Sequence, residues 1–445
     1  MKKFNREKAL RKLEFKKKWK KYSRYVYIAI PCITCLTLGI YFAYSKFFTT
    51  DEQNVVQTEV GNFVYGDVII NNYINGAYSV EAPAKGTGYK VNKIVCDNDA
   101  VGEWSVKDWG PIISNVTKRS KCNIYFADVD KVKIGNVDVA LDYYGNCPAV
   151  NDDGSVNVTE AESQYGYLCK AKDAYGDSYY YRGNVTNNYV LFAGFYWRIV
   201  RINGDGTVRV IYDGTSAHQN GESSTDRQIG TTAFNSSYND NAYVGYMYGK
   251  TIASTYAETH ANTNNSTIKT YLDTWYENNI KGTANEQYIA DNIFCNDRSL
   301  ASNNTGTGAG KSATYYRWYN DAGTTQNSKM MLTCPQQNDA FTVNDTSKGN
   351  GALTYGIGLL TADEFTLAGG LSSSNYNYYL YSGQYYWLAS PHYFNGSHAC
   401  GRTVNSSGNL YGNYVSYSIG ARPVFNLTSE ILKNGDGTSS NPYHA

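Results

Sequence analysis

The sequence predicts a membrane-anchored chain whose outer part is mainly β with some helix, of the α+β class. One observation is an uncharged stretch, residues 25–44, that follows a strongly basic N-terminus. The other is the recurrence of short β-branched and aromatic runs between Gly and Asn turns, whereas helical periodicity is scarce. At 445 residues, 42% of them hydrophobic and 18% charged, the chain is long enough for two or three domains with real cores.

The N-terminus combines a basic tail with this apolar stretch. Residues 1–24 contain twelve Lys or Arg and two Glu, and residues 25–44 contain no charge. Twenty residues are about what a helix needs to cross the hydrocarbon core. A cleaved signal peptide is the alternative, but its apolar run would be shorter and followed by small residues. We predict a cytoplasmic tail at 1–24, a transmembrane helix at 25–44 and a stalk at 45–60.

The charge distribution predicts the orientation and excludes one class of partner. The cations would hold the tail at the inner leaflet, so the rest of the chain would lie outside a cell membrane that it crosses once. The whole chain has 40 basic and 39 acidic residues. Without the twelve basic and two acidic residues of the tail, 28 basic and 37 acidic residues remain. An acidic outer part repels phosphates, so we expect no nucleic-acid partner.

The cysteines fit an oxidising exterior. Two of the nine, Cys32 and Cys35, lie in the predicted span. Taken in order, the others suggest three disulfides and leave Cys400 over; the pairs are Cys96–Cys122, Cys147–Cys169 and Cys295–Cys334. Zinc-type spacing is absent outside the span and the five His are scattered, so we predict neither a metal nor a cofactor.

Residues 61–130 are predicted to form a small β domain. Cys122, Ile124 and Phe126 alternate and would share one strand face, as would Ile94 and Cys96, so the first disulfide would join two inward faces. The runs VCDNDAVGEW and CNIYF resemble a small β-sandwich repeat of surface proteins from low-GC gut bacteria. That resemblance implies a spacer domain.

The following residues, 131–174, are acidic and are interpreted as a linker or subdomain with a disulfide loop. Beyond them, the cluster at residues 203–206 (NGDG) predicts the turn of a hairpin between WRIVRI and TVRVIY. A calcium loop is the alternative, but one four-residue cluster offers too few oxygen ligands. Apolar periodicity predicts helices at 267–278 and 361–367, the second with Thr361 as N-cap.

Four runs point to a family: WRIVRINGDGTVRVIYDG, IGLLTADE, YWLASP and GARPVFNL. They resemble landmarks of a C-terminal domain of surface proteins from gut Firmicutes. That domain is similar to the C-type lectin-like fold, in the branch shared with formylglycine-generating enzyme and with variable proteins diversified by retroelements. The resemblance covers residues 175–445 and implies a ligand-binding domain. Trp387 and Arg422 would belong to its framework, with contact to an acidic ligand as the alternative for Arg422.

Residues 392–419 fall where diversified members of this branch carry their variable positions. From residue 390 to 420, 19 of 31 positions are Tyr, Ser, Gly or Asn, the composition of antibody loops. Five residue types are absent from 392–419: Lys, Glu, Gln, Met and Trp. Mutagenesis of the adenines in Asn codons cannot produce these five types, so their absence fits diversification. The alternative is that this stretch is simply uncharged and Tyr-rich. We predict a recognition face for an extracellular protein or glycan, with the contact residues His392, Tyr393, Asn395, Ser397, His398, Arg402, Asn405, Tyr411, Asn413, Tyr414 and Ser416.

Alternation predicts which side chains of this segment point inward. A turn at residues 406–408 would let Val404 and Leu410 pack. Further along, Val415, Tyr417 and Ile419 would pack while Tyr414, Ser416 and Ser418 face solvent.

The function predicted on these grounds is surface binding or adhesion, not catalysis. The alternatives are an extracellular enzyme of the formylglycine-generating branch and a purely structural surface protein, including a solvated hairpin without a ligand. The calcium motifs Glu-Pro-Asn and Trp-Asn-Asp of many C-type lectins are absent, and Cys400 is alone where that enzyme needs paired cysteines. A Cys400 nucleophile with His392 or His398 as base would lack a third, orienting group.

Overall fold

The computed structural model describes residues 11–12, 14–21, 68–116, 119–302, 306–324 and 327–445. Residues 11–12 and 14–21 are helical. The predicted span at 25–44 and the stalk lie outside the described residues. In the described part of the chain, no helix combines the length and the apolar character that crossing a membrane requires.

The chain forms two compact units. The first comprises Met1–Glu81 and Val91–Tyr125, and the second Ala82–Lys90 and Phe126–Ala445. Strands predominate in both and helices are few, which confirms the mainly β class.

The first unit holds a β4-β5 hairpin and most of a four-stranded sheet in the order β2-β1-β6-β3, since the first two residues of β3 and the last three of β6 belong to the second unit; the strands are β1 (Val68–Ile74), β2 (Ala77–Ser79), β3 (Tyr89–Cys96), β4 (Val101–Ser105), β5 (Gly110–Ser114) and β6 (Ser120–Asp128). The predicted alternation is confirmed, since Cys122, Ile124 and Phe126 are all buried. A disulfide joins Cys122 to Cys96 on β3.

The second unit contains the remaining strands: β7 (Lys131–Ile134), β8 (Val137–Ala140), β9 (Ala149–Val150), β10 (Val156–Asn157), β11 (Gly166–Asp173), β12 (Gly176–Gly183), β13 (Tyr189–Phe192), β14 (Phe195–Ile202), β15 (Val208–Gly214), β16 (Thr231–Thr232), β17 (Met247–Tyr248), β18 (Asn264–Asn265), β19 (Phe294–Cys295), β20 (Thr314–Tyr315), β21 (Lys329–Met330), β22 (Ala340–Phe341), β23 (Ile357–Gly358), β24 (Tyr386–Phe394), β25 (Ala399–Val404), β26 (Leu410–Tyr414), β27 (Ile419–Gly420) and β28 (Val424–Leu427). Its helices are α1 (Tyr256–Thr259), α2 (Thr267–Asn279) and α3 (Ala362–Leu367), with 3-10 turns at Thr225–Arg227, Asn241–Val244, Glu286–Tyr288, Arg317–Tyr319, Gln337–Asp339 and Ser429–Leu432.

Two sheets organise this unit. One follows the order β11-β12-β14-β15-β28-β23, with β13 on β14; the other follows β16-β27-β24-β25-β26, with β20 on β24. β11 therefore draws the segment predicted as a linker into the first of these sheets. The hairpin predicted at residues 203–206 connects β14 and β15, and Gly206 takes the positive φ of 84° that this turn requires.

The core surrounds buried aromatic side chains. Trp197 on β14 lies 5.0 Å from Phe425 on β28 and 5.5 Å from Tyr212, measured between ring centroids. Disulfides join Cys147 to Cys169 and Cys295 to Cys334, as predicted, and Cys400 is free.

Both predicted helices are present, and the second positions the candidate site. Thr361 and Glu364 form a capping box at the start of α3. Asp363, next to the cap, accepts hydrogen bonds from Arg317 and from Trp318 Nε1 at 2.8 Å. Helix α3 thus fixes the turn Arg317–Tyr319, which lies against β24 and β25.

Candidate functional site

The predicted recognition segment is built from β24, β25, β26 and the turns between them. Asn395 Oδ1 accepts hydrogen bonds from the backbone N–H groups of Ser397 (2.9 Å) and His398 (2.8 Å). Asn405 Oδ1 does the same for Ser407 and Asn409. The side-chain oxygens of these two predicted contact residues therefore stabilise the turns, which is a frequent role of Asn.

The predicted contact residues differ in accessibility. Asn395, Ser397 and Tyr411 are exposed, whereas Arg402 is buried. The others are half-buried: His392, Tyr393, His398, Asn405, Asn413, Tyr414 and Ser416. The turn at residues 406–408 is present, and Val404 and Leu410 pack inward as predicted.

The structure contradicts the assignment of Arg402 as an outward contact. Its side chain is only 1% exposed. Nε donates to Trp318 O at 2.7 Å, and Nη2 donates to the carbonyl oxygens of Tyr319 and Asn320 at 3.1 Å. Asp321 adds an ion pair at 3.1 Å. The reason is that a guanidinium can satisfy several carbonyls at a chain reversal, and this one holds the 318–321 turn against β25.

The predicted alternation also fails after Val415. Strand β26 ends at Tyr414, and Tyr417 N donates to Tyr414 O at 3.0 Å, so the chain turns where the pattern assumed a continuing strand. Val415 and Ile419 are buried as predicted, but Tyr417 is 50% exposed.

Tyr417 instead completes a row of stacked rings, which we call the aromatic ridge: Tyr238, His398, Tyr414 and Tyr417. Tyr238 stacks on His398 at 4.8 Å, His398 on Tyr414 at 4.6 Å, and Tyr417 meets Tyr414 edge-on at 5.5 Å. Both ends are exposed, Tyr238 at 41% and Tyr417 at 50%. Because each ring is held by its neighbour, the ridge offers aromatic contact area that is already ordered.

A second group of rings, the inner cluster, comprises Tyr315, Tyr319, His392 and Tyr393. Tyr315 and Tyr319 lie 4.1 Å apart, and Tyr319 lies 5.6 Å from His392 between ring centroids. The pairing of β24 with β25 is irregular between Pro391 and Tyr393, and this bulge brings both His392 and Tyr393 to Cys400.

The chemistry at Cys400 is that of a packed thiol. Its Sγ lies 3.6 Å from His392 Nδ1. Burial raises the pKa of the Cys400 thiol to about 12. Burial, and then the charge of Arg402, lower the pKa of His392 well below its ordinary value. At neutral pH the pair is a neutral thiol beside a neutral imidazole, whereas a cysteine nucleophile needs a thiolate.

Tyr411 and Asn413 point to the opposite face of β26. A Cβ at Gly412 would lie 2.2 Å from His392 Nδ1, so the inner cluster covers the strand face to which Gly412 belongs. Because side chains alternate along a strand, Tyr411 and Asn413 lie on the other face. Asn413 Nδ2 donates to Thr403 Oγ1 at 2.9 Å. The predicted residues thus divide between two faces of one hairpin.

Tyr238, Tyr315 and Tyr319 are not predicted from the sequence, because they come from segments far from residues 392–419. No local pattern marks them, because the chain contains 44 Tyr. Trp387 and Arg422 are framework as predicted. Trp387 is 1% exposed and donates to Thr232 O at 2.9 Å, and Arg422 donates to Tyr212 O and Leu380 O and pairs with Asp213.

Among the described residues, His, Cys, Asp and Glu form no group of three or more that could hold a metal ion.

Comparisons with known proteins add no family assignment. A scan of the chain against protein-family models and searches of curated proteins and of solved structures found no match.

Proposed function

We propose that this chain is a cell-surface binding or adhesion protein that recognises an extracellular protein or glycan through the aromatic ridge and the turn at residues 395–398. The observation that carries the proposal is the stacked row of Tyr and His side chains with both ends exposed. Tyr is enriched where proteins bind partners, because it presents a large amphipathic surface with few torsions to order.

The ordered base beneath the ridge supports this role. Arg402 and the bulge of β24 fix the hairpin, while Asn395 and Asn405 define the loop ends. Such a scaffold lets exposed positions change without loss of fold, as a diversified binding domain requires. The proposal includes the C-type lectin-like fold and a membrane anchor at residues 25–44, which would display the binding face outside the cell.

The proposal is tested with cells that display the full-length chain. Tyr238→Ala and Tyr417→Ala should each weaken adhesion to immobilised mucin or to epithelial cells about tenfold or more, since interface aromatics contribute about 2 kcal/mol or more. Tyr78→Ala, which removes an exposed tyrosine of the first unit, is the matched control and should bind as the parent does. Unchanged adhesion of both ridge variants to each probe that the parent binds would refute the ridge as recognition face.

Diversification has a separate test in the neighbouring DNA. A reverse-transcriptase gene and a near-copy of the codons for residues 388–425 are the expected finding. If neither is present, the Tyr/Ser/Gly/Asn composition has another origin, and the binding proposal stands on the ridge alone.

A further inference from the structure

A cleft of about 480 Å³ opens beside α2, and none of its lining residues belongs to the aromatic ridge. It lies between the chain that follows β16, the first turns of α2 and the β17-β18 pair. Its volume falls within the range of about 300–1,000 Å³ that is typical of small-molecule sites. Every lining residue is Ser, Thr, Asn or Tyr, so the cleft carries no charged side chain.

One wall contains a buried amide without a hydrogen-bond partner. Asn235 is 3% exposed and lines the cleft, and its Nδ2 makes no hydrogen bond. Its backbone is fixed, because Asn235 N donates to Val415 O at 3.0 Å and the next residue, Ser236, donates its N–H to Thr267 Oγ1 at 2.9 Å. Nδ2 is shielded from solvent, and a buried donor left unsatisfied costs about 1–3 kcal/mol, so a ligand acceptor that displaces its cover and reaches it would recover this free energy.

The opposite wall offers acceptors. Thr270 Oγ1 donates to Ser266 O at 3.2 Å and Thr274 Oγ1 donates to Thr270 O at 2.9 Å, so each hydroxyl uses its proton within α2 and keeps lone pairs for the cleft. Both threonines are exposed on one face of the helix, at positions i and i+4. Tyr248 and Tyr271 add aromatic surface.

We propose that this cleft binds a neutral saccharide. A sugar hydroxyl both donates and accepts, which matches an amide donor facing hydroxyl acceptors, and the tyrosine rings suit the apolar faces of a pyranose. The absence of lining cations removes the attraction that a phosphorylated or carboxylated sugar needs. The cleft shares none of its lining residues with the ridge, so this inference goes beyond the proposed function and does not depend on it.

The test uses purified full-length protein and a panel of neutral mono- and disaccharides, with binding followed by saturation-transfer NMR and calorimetry. At least one saccharide should bind the parent protein at millimolar concentration. Asn235→Asp should weaken that binding about tenfold or more, because it replaces the donor by an acceptor and removes one hydrogen bond. Thr270→Val, on the exposed helix face, should weaken it severalfold.

Controls separate this site from the ridge and from misfolding. Thr346→Val, at an exposed threonine outside the cleft, should bind the saccharide as the parent does, and Tyr417→Ala measures what the ridge contributes to binding. Thr270→Val keeps the test valid if Asn235→Asp unfolds, which thermal melting would reveal. No binding of any panel member, equal binding by both cleft variants, or loss only in Tyr417→Ala would each overturn the proposal. Binding of a peptide, and of no saccharide, that requires Asn235 would overturn the saccharide class.

Discussion

At the residue scale, burial decides what the side chains of the hairpin do. In the sequence, Arg402 and Tyr393 are both polar members of a Tyr/Asn/Ser segment. In the structure, Arg402 is buried and donates hydrogen bonds to backbone carbonyls, whereas Tyr393 is half-buried. Cys400 reads as a possible nucleophile, and burial makes its thiol a weak acid. Residue type alone does not distinguish these roles, because they depend on the turn at 317–321, which is far away in sequence.

Cys400 should resist alkylation in the native protein. With a pKa of about 12 against an ordinary value of 9.0, the thiolate fraction at pH 8 is lower by about 1,000-fold. Iodoacetamide at pH 8 should leave the Cys400 peptide unmodified in native full-length protein and label it after denaturation, as peptide mapping would show. Rapid labelling of the native protein would contradict this environment and revive the nucleophile alternative.

Framework side chains should affect stability rather than binding alone. Trp387→Ala should lower the free energy of unfolding by about 3–5 kcal/mol, because it empties a buried site and removes the bond to Thr232 O. Arg402→Ala should also destabilise, by about 1–3 kcal/mol or more, since three backbone carbonyls lose their donor. Denaturant unfolding measures both, with Tyr417→Ala as the surface control expected within about 0.5 kcal/mol. An Arg402→Ala variant as stable as the parent would contradict the role of Arg402 in stabilising the fold.

At the element scale, the sequence predicts the turns and helices that depend on residues adjacent in the chain. The Asn-Gly-Asp-Gly turn, the capped helix α3 and the amphipathic face of α2 each follow from residues adjacent in sequence, and each is present. The end of β26 was not predicted, because Tyr414 to Ile419 alternates well enough to suggest a strand while the chain turns. The ridge needed contacts between residue 238 and residues 398–417, which no periodicity encodes.

The capping box of α3 connects to the site through Asp363, which holds Arg317 and Trp318. Thr361→Ala removes the acceptor for Glu364 N at 3.0 Å and should cost about 1 kcal/mol of unfolding free energy. Thr428→Ala is the matched control, since Thr428 precedes a 3-10 turn without a side-chain cap, and it should be nearly neutral. Equal effects of the two substitutions would show that the cap contributes nothing specific.

A stronger effect is expected at Glu364 itself. This buried carboxylate pairs with Arg209 at 2.5 Å and with Arg201 at 3.2 Å. Glu364→Gln should cost about 3–5 kcal/mol, because it leaves the buried guanidinium of Arg209 without its counter-charge. Chemical denaturation measures the loss, and a change below about 1 kcal/mol would mean that Asp173, which also pairs with Arg201, compensates for it.

At the scale of the whole molecule, the described units and the basic N-terminus lead to one expectation about topology. The disulfides within the units fit an oxidising compartment, and the uncharged residues 25–44 separate them from twelve cations. The predicted arrangement therefore places both units outside the cell and residues 1–24 inside. It follows from charge and hydropathy alone, because residues 25–44 lie outside the described part of the chain.

Protease protection on intact cells decides between the two orientations. Cells displaying the full-length chain with an epitope tag before residue 1 should lose the second unit to added protease, while the tag stays attached to a short protected fragment. In permeabilised cells both should be digested, which controls for intrinsic resistance of the tag. A tag lost from intact cells together with a protected second unit would reverse the orientation. Release of both units into the medium before any protease is added would instead favour the cleaved signal peptide, and with it a secreted rather than an anchored binding protein.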